Sequence, residues 1–403
     1  MTLSNSTTEK PSLEDPNGFS LVRGGPLYRL WRRIGLAGDA PELLGRRIFV
    51  LAALAWVPLF VLSFIEGQFW GGSVPLPFLH DFELHIRLLL AMPLLLAAEP
   101  FVHGRLQVTV RQFIDRGLVS EEVRGQFDAA KAAAMRLRNS TAAELLMIAF
   151  VYGVGVLFIW RSQALLDVTG WYGTPLGERQ QPSMAGWWLR CVSVPMFQFL
   201  LFRWYFRLFI WARFLWQVSR INLRLLPTHP DRCAGLAFLS GVGDTFSPVA
   251  MAHGALVAGM IANRIYFNGA TLLDFKPDLA GVAVVMLLMI LAPLLVFSPA
   301  LETARRKGVR EYGSLAGRYV REFDQKWLRD KTQPSEPLIG NSDIQSLADI
   351  GTSFSVVKEM TILPFSVKTV SKVAVVTLAP VAPLLLTMIP LEDLIDRVLK
   401  ILV

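Results

Sequence analysis

Glu99, Arg203, Arg207 and His253 each stand inside a long run of apolar residues. A charge there is costly unless it is paired or wetted. A carboxylate and an imidazole can take up and release a proton, and guanidiniums can hold an anion or act as counter-charge. At ~1.5 Å of helix rise per residue, Glu99, Arg203 and His253 fall in the same third of their runs, with Arg207 nearer the surface. They could therefore form one polar site on a permeation or proton path. A plainer reading stands beside it: both arginines reach along their stems to the headgroups, and Glu99 pairs with one of them. Arg87 and Arg190 lie near the opposite ends of their runs. The arginines at 203, 207, 213, 220 and 224 do not recur every third residue, which excludes a voltage sensor.

A second group, His229, Asp231 and Arg232, lies in Leu226-Pro227-Thr228-His229-Pro230-Asp231-Arg232. Two prolines bias the residues before them toward extended backbone, so this stretch is a connector. Asp231 is expected to N-cap a short helix over Arg232 to Ser240 and to hold His229 at the membrane rim, with a ligand, gate or metal site as the alternative. A third group, His80, Asp81, Glu83 and His85, has the atoms of a hard metal site, yet acids at a helix start more often serve the positive dipole end. No metal is assigned to it, and no cofactor to the chain.

The elements that must position these residues are transmembrane. Hydrophobic residues make up 53% of the 403 and charged ones only 18%. Seven runs approach the ~20 residues that cross a bilayer: about Ile48–Ile65, Ile86–Val102, Ala142–Trp160, Gly186–Ile210, Phe246–Phe267, Leu279–Phe297 and Val373–Ile389. The fold expected is all-α, a polytopic bundle of about seven spans with a layer of cytoplasmic helices. In order, the chain reads as a flexible tail (1–22), an interfacial helix (23–47), two spans (48–103), a helical insert (104–140), four spans (141–298), a second insert (299–368), and a last span with an amphipathic end (369–403).

Capping boxes are read at Thr141–Glu144 and at Ser342–Gln345, and Ser247-Pro248 as an N-cap and first residue. The fourth span is expected to continue as helix to Arg224. Ile344, Leu347, Phe354 and Val357 are expected to face inward. The stripe Val309, Tyr312, Ala316, Tyr319, Phe323 and Trp327 has helical spacing and must bury against the first insert, a partner subunit or the headgroups. Ala250, Gly254, Ala258 and Ala262 recur every fourth residue, which lets helix backbones approach closely.

Thirty Lys and Arg fall on alternate connections, beginning with the N-terminal segment, and six on the others. That bias puts the N-terminus in the cytoplasm and the C-terminus outside. It also accounts for the net charge of +8 without a nucleic-acid partner. The partners expected are the lipid bilayer and a second copy or another membrane subunit. Cys191 and Cys233 fall at opposite faces, so no disulfide is expected.

Leu226-Pro-Thr-His-Pro-Asp231 followed by Gly235-Leu-Ala-Phe-Leu239, together with Ser342-Asp-Ile-Gln-Ser-Leu-Ala-Asp349, resembles a family of uncharacterised bacterial multi-pass membrane proteins. The resemblance runs from the fourth span onward and implies the bacterial cytoplasmic membrane, with no activity and no catalytic residue. The functions in view are a transporter or channel-like protein for an anion or a proton-coupled solute, and a non-transporting scaffold or sensor subunit. An enzyme is the least supported, because no metal-binding helix pair, nucleophile elbow or phosphate loop appears.

Overall fold

The computed structural model describes residues 19–36, 41–71, 74–156, 170–176, 179–329, 337 and 340–388. The chain is built of helices: α1 (Pro26–Arg33), α2 (Pro41–Ile65), α3 (Phe82–Asp115), α4 (Glu121–Arg138), α5 (Thr141–Gly153), α6 (Met184–Ser219), α7 (Ala237–Thr245), α8 (Ser247–Asn268), α9 (Leu272–Arg329), α10 (Ser342–Lys358) and α11 (Val367–Met388). One short antiparallel hairpin, β1 (Gly173–Leu176) and β2 (Arg179–Pro182), precedes α6.

Five of these helices are long and apolar enough to cross a membrane, within α2, α3, α6, α9 and α11. The pair α7 and α8, bent by 41°, makes a sixth if it counts as one span. Helix α5 is apolar but shorter, and the far end expected for that span, toward Trp160, lies outside the described residues. Phe49, Leu54, Val57, Val61 and Phe64 of α2 are exposed while Arg47 and Ser63 are buried. Such an apolar exterior, with these two polar side chains turned inward beside buried Ala55 and Leu59, is the arrangement a bilayer solvates.

Prolines set the local geometry of the spans. A π-turn over Arg87–Ala91 ends just before Met92-Pro93, another over Leu189–Ser193 ends just before Val194-Pro195, and a 3₁₀ stretch over Ala292–Phe297 contains Pro293. A proline offers no N–H and crowds the carbonyl one turn back, so the ladder must widen or tighten there.

Small residues bring α8 against α11. A Cβ on Gly254 would stand 1.7 Å from the Thr377 carbonyl oxygen. The every-fourth-residue ladder therefore does pack a helix pair at backbone contact.

Helix α9 runs past the apolar window as a polar extension, and α10 folds back on it. Tyr319 Oη donates to the Asp343 carbonyl at 3.1 Å, Trp327 Nε1 donates to Asp343 Oδ2 at 3.1 Å, and Phe354 packs at Gly313. The stripe through Tyr312 and Trp327 thus finds its partner in α10, which is neither the first insert nor a second chain. Of the four residues expected to face inward on α10, Val357 is buried, Leu347 and Phe354 are half-buried and Ile344 is exposed.

Several local expectations are corrected. Ser140 caps α5 by accepting from Ala143 N, and Asn341 caps α10 by accepting from Asp343 N, each one residue before the box that was read. Glu144 and Gln345, the far ends of those boxes, bond elsewhere, to Leu27 N and to Asp349. The cap of α8 is Phe246, and Ser247 Oγ donates to the Asp244 carbonyl. Helix α6 stops at Ser219 rather than Arg224. Residues 19–22, assigned to the tail, are packed into the bundle: Phe19, Ser20, Leu21 and Val22 are all buried.

Candidate functional site

Glu99 stands midway along α3, Arg203 and Arg207 just past the middle of α6, and Arg47 early in α2. Antiparallel spans bring these positions to one end of the bundle. Three guanidiniums surround one carboxylate: Arg47 Nη2 lies 2.6 Å from Glu99 Oε2, Arg207 Nη2 donates to Oε1 at 2.7 Å, and Arg203 Nη1 stands 3.6 Å from Oε1. All four side chains are 6% exposed or less. Arg47 was not among the residues singled out by type and spacing.

Indoles roof the cations. Arg47 lies over the Trp31 ring at 4.5 Å and Arg203 near the same ring at 5.8 Å, while Arg207 lies over Trp204 at 4.7 Å. Trp31 is the buried residue of α1, whose Arg29, Arg32 and Arg33 are exposed, so the short amphipathic helix closes the cluster with its buried indole.

The segment before α1 completes the closure. Arg138 Nη1 donates to the Ser20 carbonyl at 2.6 Å, Gly25 N donates to Asn139 Oδ1 at 3.0 Å, and Leu27 N donates to Glu144 Oε2 at 2.9 Å. Glu144 therefore serves the N-terminus of α1, where a carboxylate is favoured. Gly24 and Gly25 have φ of 144° and 89°. A side chain on Gly24 would collide with the Arg138 guanidinium, which holds the segment against α4 and α5.

His253 does not join this cluster. Its Nε2 lies 2.8 Å from Tyr205 Oη and its Nδ1 2.7 Å from the Val249 carbonyl. A carbonyl can only accept, so Nδ1 carries a proton, and in the neutral imidazole Tyr205 donates to Nε2. Both nitrogens are used, and the expected meeting of His253 with Glu99 is replaced by a hydrogen-bonded pair between α8 and α6.

The connector is a fastener. Asp231 accepts from Cys233 N at 2.9 Å, Gly235 N at 3.1 Å and Ala237 N at 3.1 Å. Arg232 and Ala234 adopt φ of 54° and 52°, which the helix expected from Arg232 would not allow. That helix starts only at Ala237. Burial acts to raise the Asp231 pKa, but the three N–H groups and the His229 charge outweigh it and hold the carboxyl below its usual range. The Arg232 carbonyl accepts from Thr361 N at 2.7 Å, and Arg232 Nη1 meets Glu359 Oε2 at 2.9 Å. The first motif thus docks on the chain that follows the second. Burial pushes the Cys233 thiol up to about 11, so it is an inert neighbour, and Cys233 and Cys191 are both unbridged.

At the other end of the bundle Asp81 accepts from Leu84 N at 3.0 Å, Asn263 Nδ2 at 2.9 Å and Trp171 Nε1 at 3.1 Å. Glu83 pairs with Arg87, His85 Nδ1 accepts from Trp56 Nε1 at 3.0 Å, and His80 stacks on Tyr266. Asp81 and Glu83 are thus committed to separate partners, while His85 Nε2 is buried with no hydrogen-bond partner among the described residues and His80 makes a ring contact. Among the described residues no three His, Cys, Asp or Glu side chains gather as a metal site would require.

No protein-family model, no curated protein and no solved structure matches the chain.

Proposed function

We propose that this chain is a multi-pass membrane transporter or channel-like protein for an anion, with Glu99, Arg47, Arg203 and Arg207 at its closed centre. One observation carries the reading: three buried guanidiniums share a single buried carboxylate. Unbalanced positive charge at membrane depth is costly, and a passing anion is the species that would stabilise it. The interrupted helices favour the same reading, since broken spans are a recurrent way of lining a polar path. A proton-coupled route through Glu99 and His253 loses its support, because His253 is committed to Tyr205.

The frame of the proposal is seven spans, with α5 and the residues beyond it as the third, set in the bacterial cytoplasmic membrane. The basic connections, including the α9–α10 hairpin, lie in the cytoplasm, the C-terminus lies outside, and the cluster stands at the cytoplasmic end. A reporter fused in the loop at His80 should read external, and one at His229 cytoplasmic.

Anion flux from vesicles reconstituted with wild type, Glu99→Gln and Arg207→Gln tests the function. Wild type should release anions above the level of empty vesicles, and the Arg207→Gln variant should differ from it by about tenfold or more, the weight of one hydrogen bond to a charge. Equal leak from all three and from empty vesicles sinks the proposal. The scaffold or sensor reading has one observation in its favour, that His253 and Glu99 are buried and each hydrogen-bonded to a separate protein partner, Tyr205 and Arg207. On that reading the variants lower the unfolding midpoint and have no flux to lose.

A further inference from the structure

Arg203 and Arg207 are 95% and 97% buried, yet Nη1 of each has no hydrogen-bond partner among the described residues. Arg207 commits Nη2 to Glu99, and Arg203 Nη1 stands too far from that carboxylate for a hydrogen bond. Unmet donors on buried cations are expensive, roughly 1–3 kcal/mol each and more when the group is charged. Both residues line one small cavity, with Arg138, Glu144, Met147 and Gly24.

The cavity is about 10 Å³, at the lower limit of room for one water molecule, so a chloride ion enters it only with a small outward shift of the lining side chains. Three cations and one carboxylate line it, and that carboxylate already accepts from Leu27 N. A water molecule there would meet a donor but leave the charge. Resting on the anion reading above, we propose that this cavity binds a single monatomic, monovalent anion of chloride's size, with Arg203 and Arg207 as its principal ligands and Arg138 as the third cation.

The closure argues for size. Leu21 and Gly24 belong to the segment tied to Arg138 and Asn139, and a carboxylate or phosphate would have to displace it. Burial and the Arg207 charge both depress the Arg138 pKa below its ordinary value. An anion in the cavity relieves that pressure.

Protein in phosphatidylcholine nanodiscs, which offer no anionic headgroup, is titrated with chloride against gluconate at constant ionic strength. The readouts are chloride-35 line broadening and the unfolding midpoint. Wild type should show saturable broadening and a rising midpoint, with bromide replacing chloride and phosphate failing to compete. Arg203→Gln should weaken chloride by about tenfold to a hundredfold, the worth of a hydrogen bond to a charge. Should that variant fail to fold, Arg203→Lys keeps the positive charge but removes the unmet Nη1 donor, and it should weaken chloride while phosphate still fails to compete. Absence of saturable chloride binding overturns the inference, as does phosphate displacing chloride with equal or greater affinity. Saturable chloride without vesicle flux supports this site and counts against transport, whereas flux without saturable chloride does the reverse.

Discussion

Glu99 and Asp81 are both buried carboxylates at opposite ends of the bundle, and their surroundings differ in kind. Asp81 meets three neutral donors that use its two oxygens and bring no charge. Glu99 meets three cations, one of which already holds its Oε1, and guanidinium donors are left over. Neutral donors stabilise an anion by hydrogen bonding alone, which suits a fastener between α3, α8 and the segment at Trp171. Excess cations create a field that acts beyond the carboxylate. A buried carboxylate is therefore not a functional mark by itself. The mark is charge left over after its partners are counted.

The largest effect should come from Glu99→Gln. It leaves Arg47, Arg203 and Arg207 buried without their shared carboxylate, with Glu144 alone nearby, and breaking a buried pair from one side costs about 3–5 kcal/mol. Denaturant unfolding in detergent checks the loss. Chloride at fixed ionic strength should restore part of it, since an anion can enter where the carboxylate was removed. No response to chloride would place Glu99 in the same class as Asp81.

Asp81→Asn should cost less, about 1–3 kcal/mol. The Asn oxygen keeps Leu84 N and Asn263 Nδ2, but its amide faces the Trp171 N–H, donor against donor. Chloride should have no effect on this variant. Selective rescue of Asp81→Asn by chloride would erase the distinction between the two ends.

Part of this was legible without coordinates. Glu99, Arg203 and Arg207 stood out because charge inside an apolar run has few benign explanations. Arg47 escaped because it stands one residue before the apolar run at Ile48 and counts there as an ordinary basic flank. Its burial depends on Trp31, a tertiary contact with no local signature, although Arg47 lies at the same depth as the other three. Tyr205, the partner of His253, escaped for a related reason, since a tyrosine in a span is unremarkable until a histidine faces it. Its position between Arg203 and Arg207 was the available hint. The helix caps were misplaced by one residue where two capping types adjoin, Ser140 with Thr141 and Asn341 with Ser342, and the choice between such neighbours is made by the path of the chain.

Trp31→Leu probes the roof alone. The leucine keeps apolar cover but has no ring face for Arg47 and Arg203, so the loss should be that of a desolvated cation–π contact, about 0.5–2 kcal/mol. Combined with Glu99→Gln, its effect should not be additive, because the same cations are involved. Strict additivity in the double mutant would separate the indole from the charge cluster.

The smallest effect should appear at Asp231, a third carboxylate that follows the Asp81 pattern outside the membrane. Burial acts to raise its folded pKa, but three backbone N–H groups and the His229 charge outweigh that and hold it below the ordinary carboxylate value. A depressed folded pKa stabilises the fold above the unfolded value, near 4, and that contribution is lost as pH falls through the folded value. Asp231→Asn keeps an acceptor for some of the loop N–H groups and removes the charge. The unfolding midpoint of wild type should therefore exceed that of the variant at pH 5 to 6, and the gap should close below about pH 4. A gap that widens on acidification would mean that the neutral form is the one the loop prefers, and Asp231 would then belong with neither of the other two carboxylates.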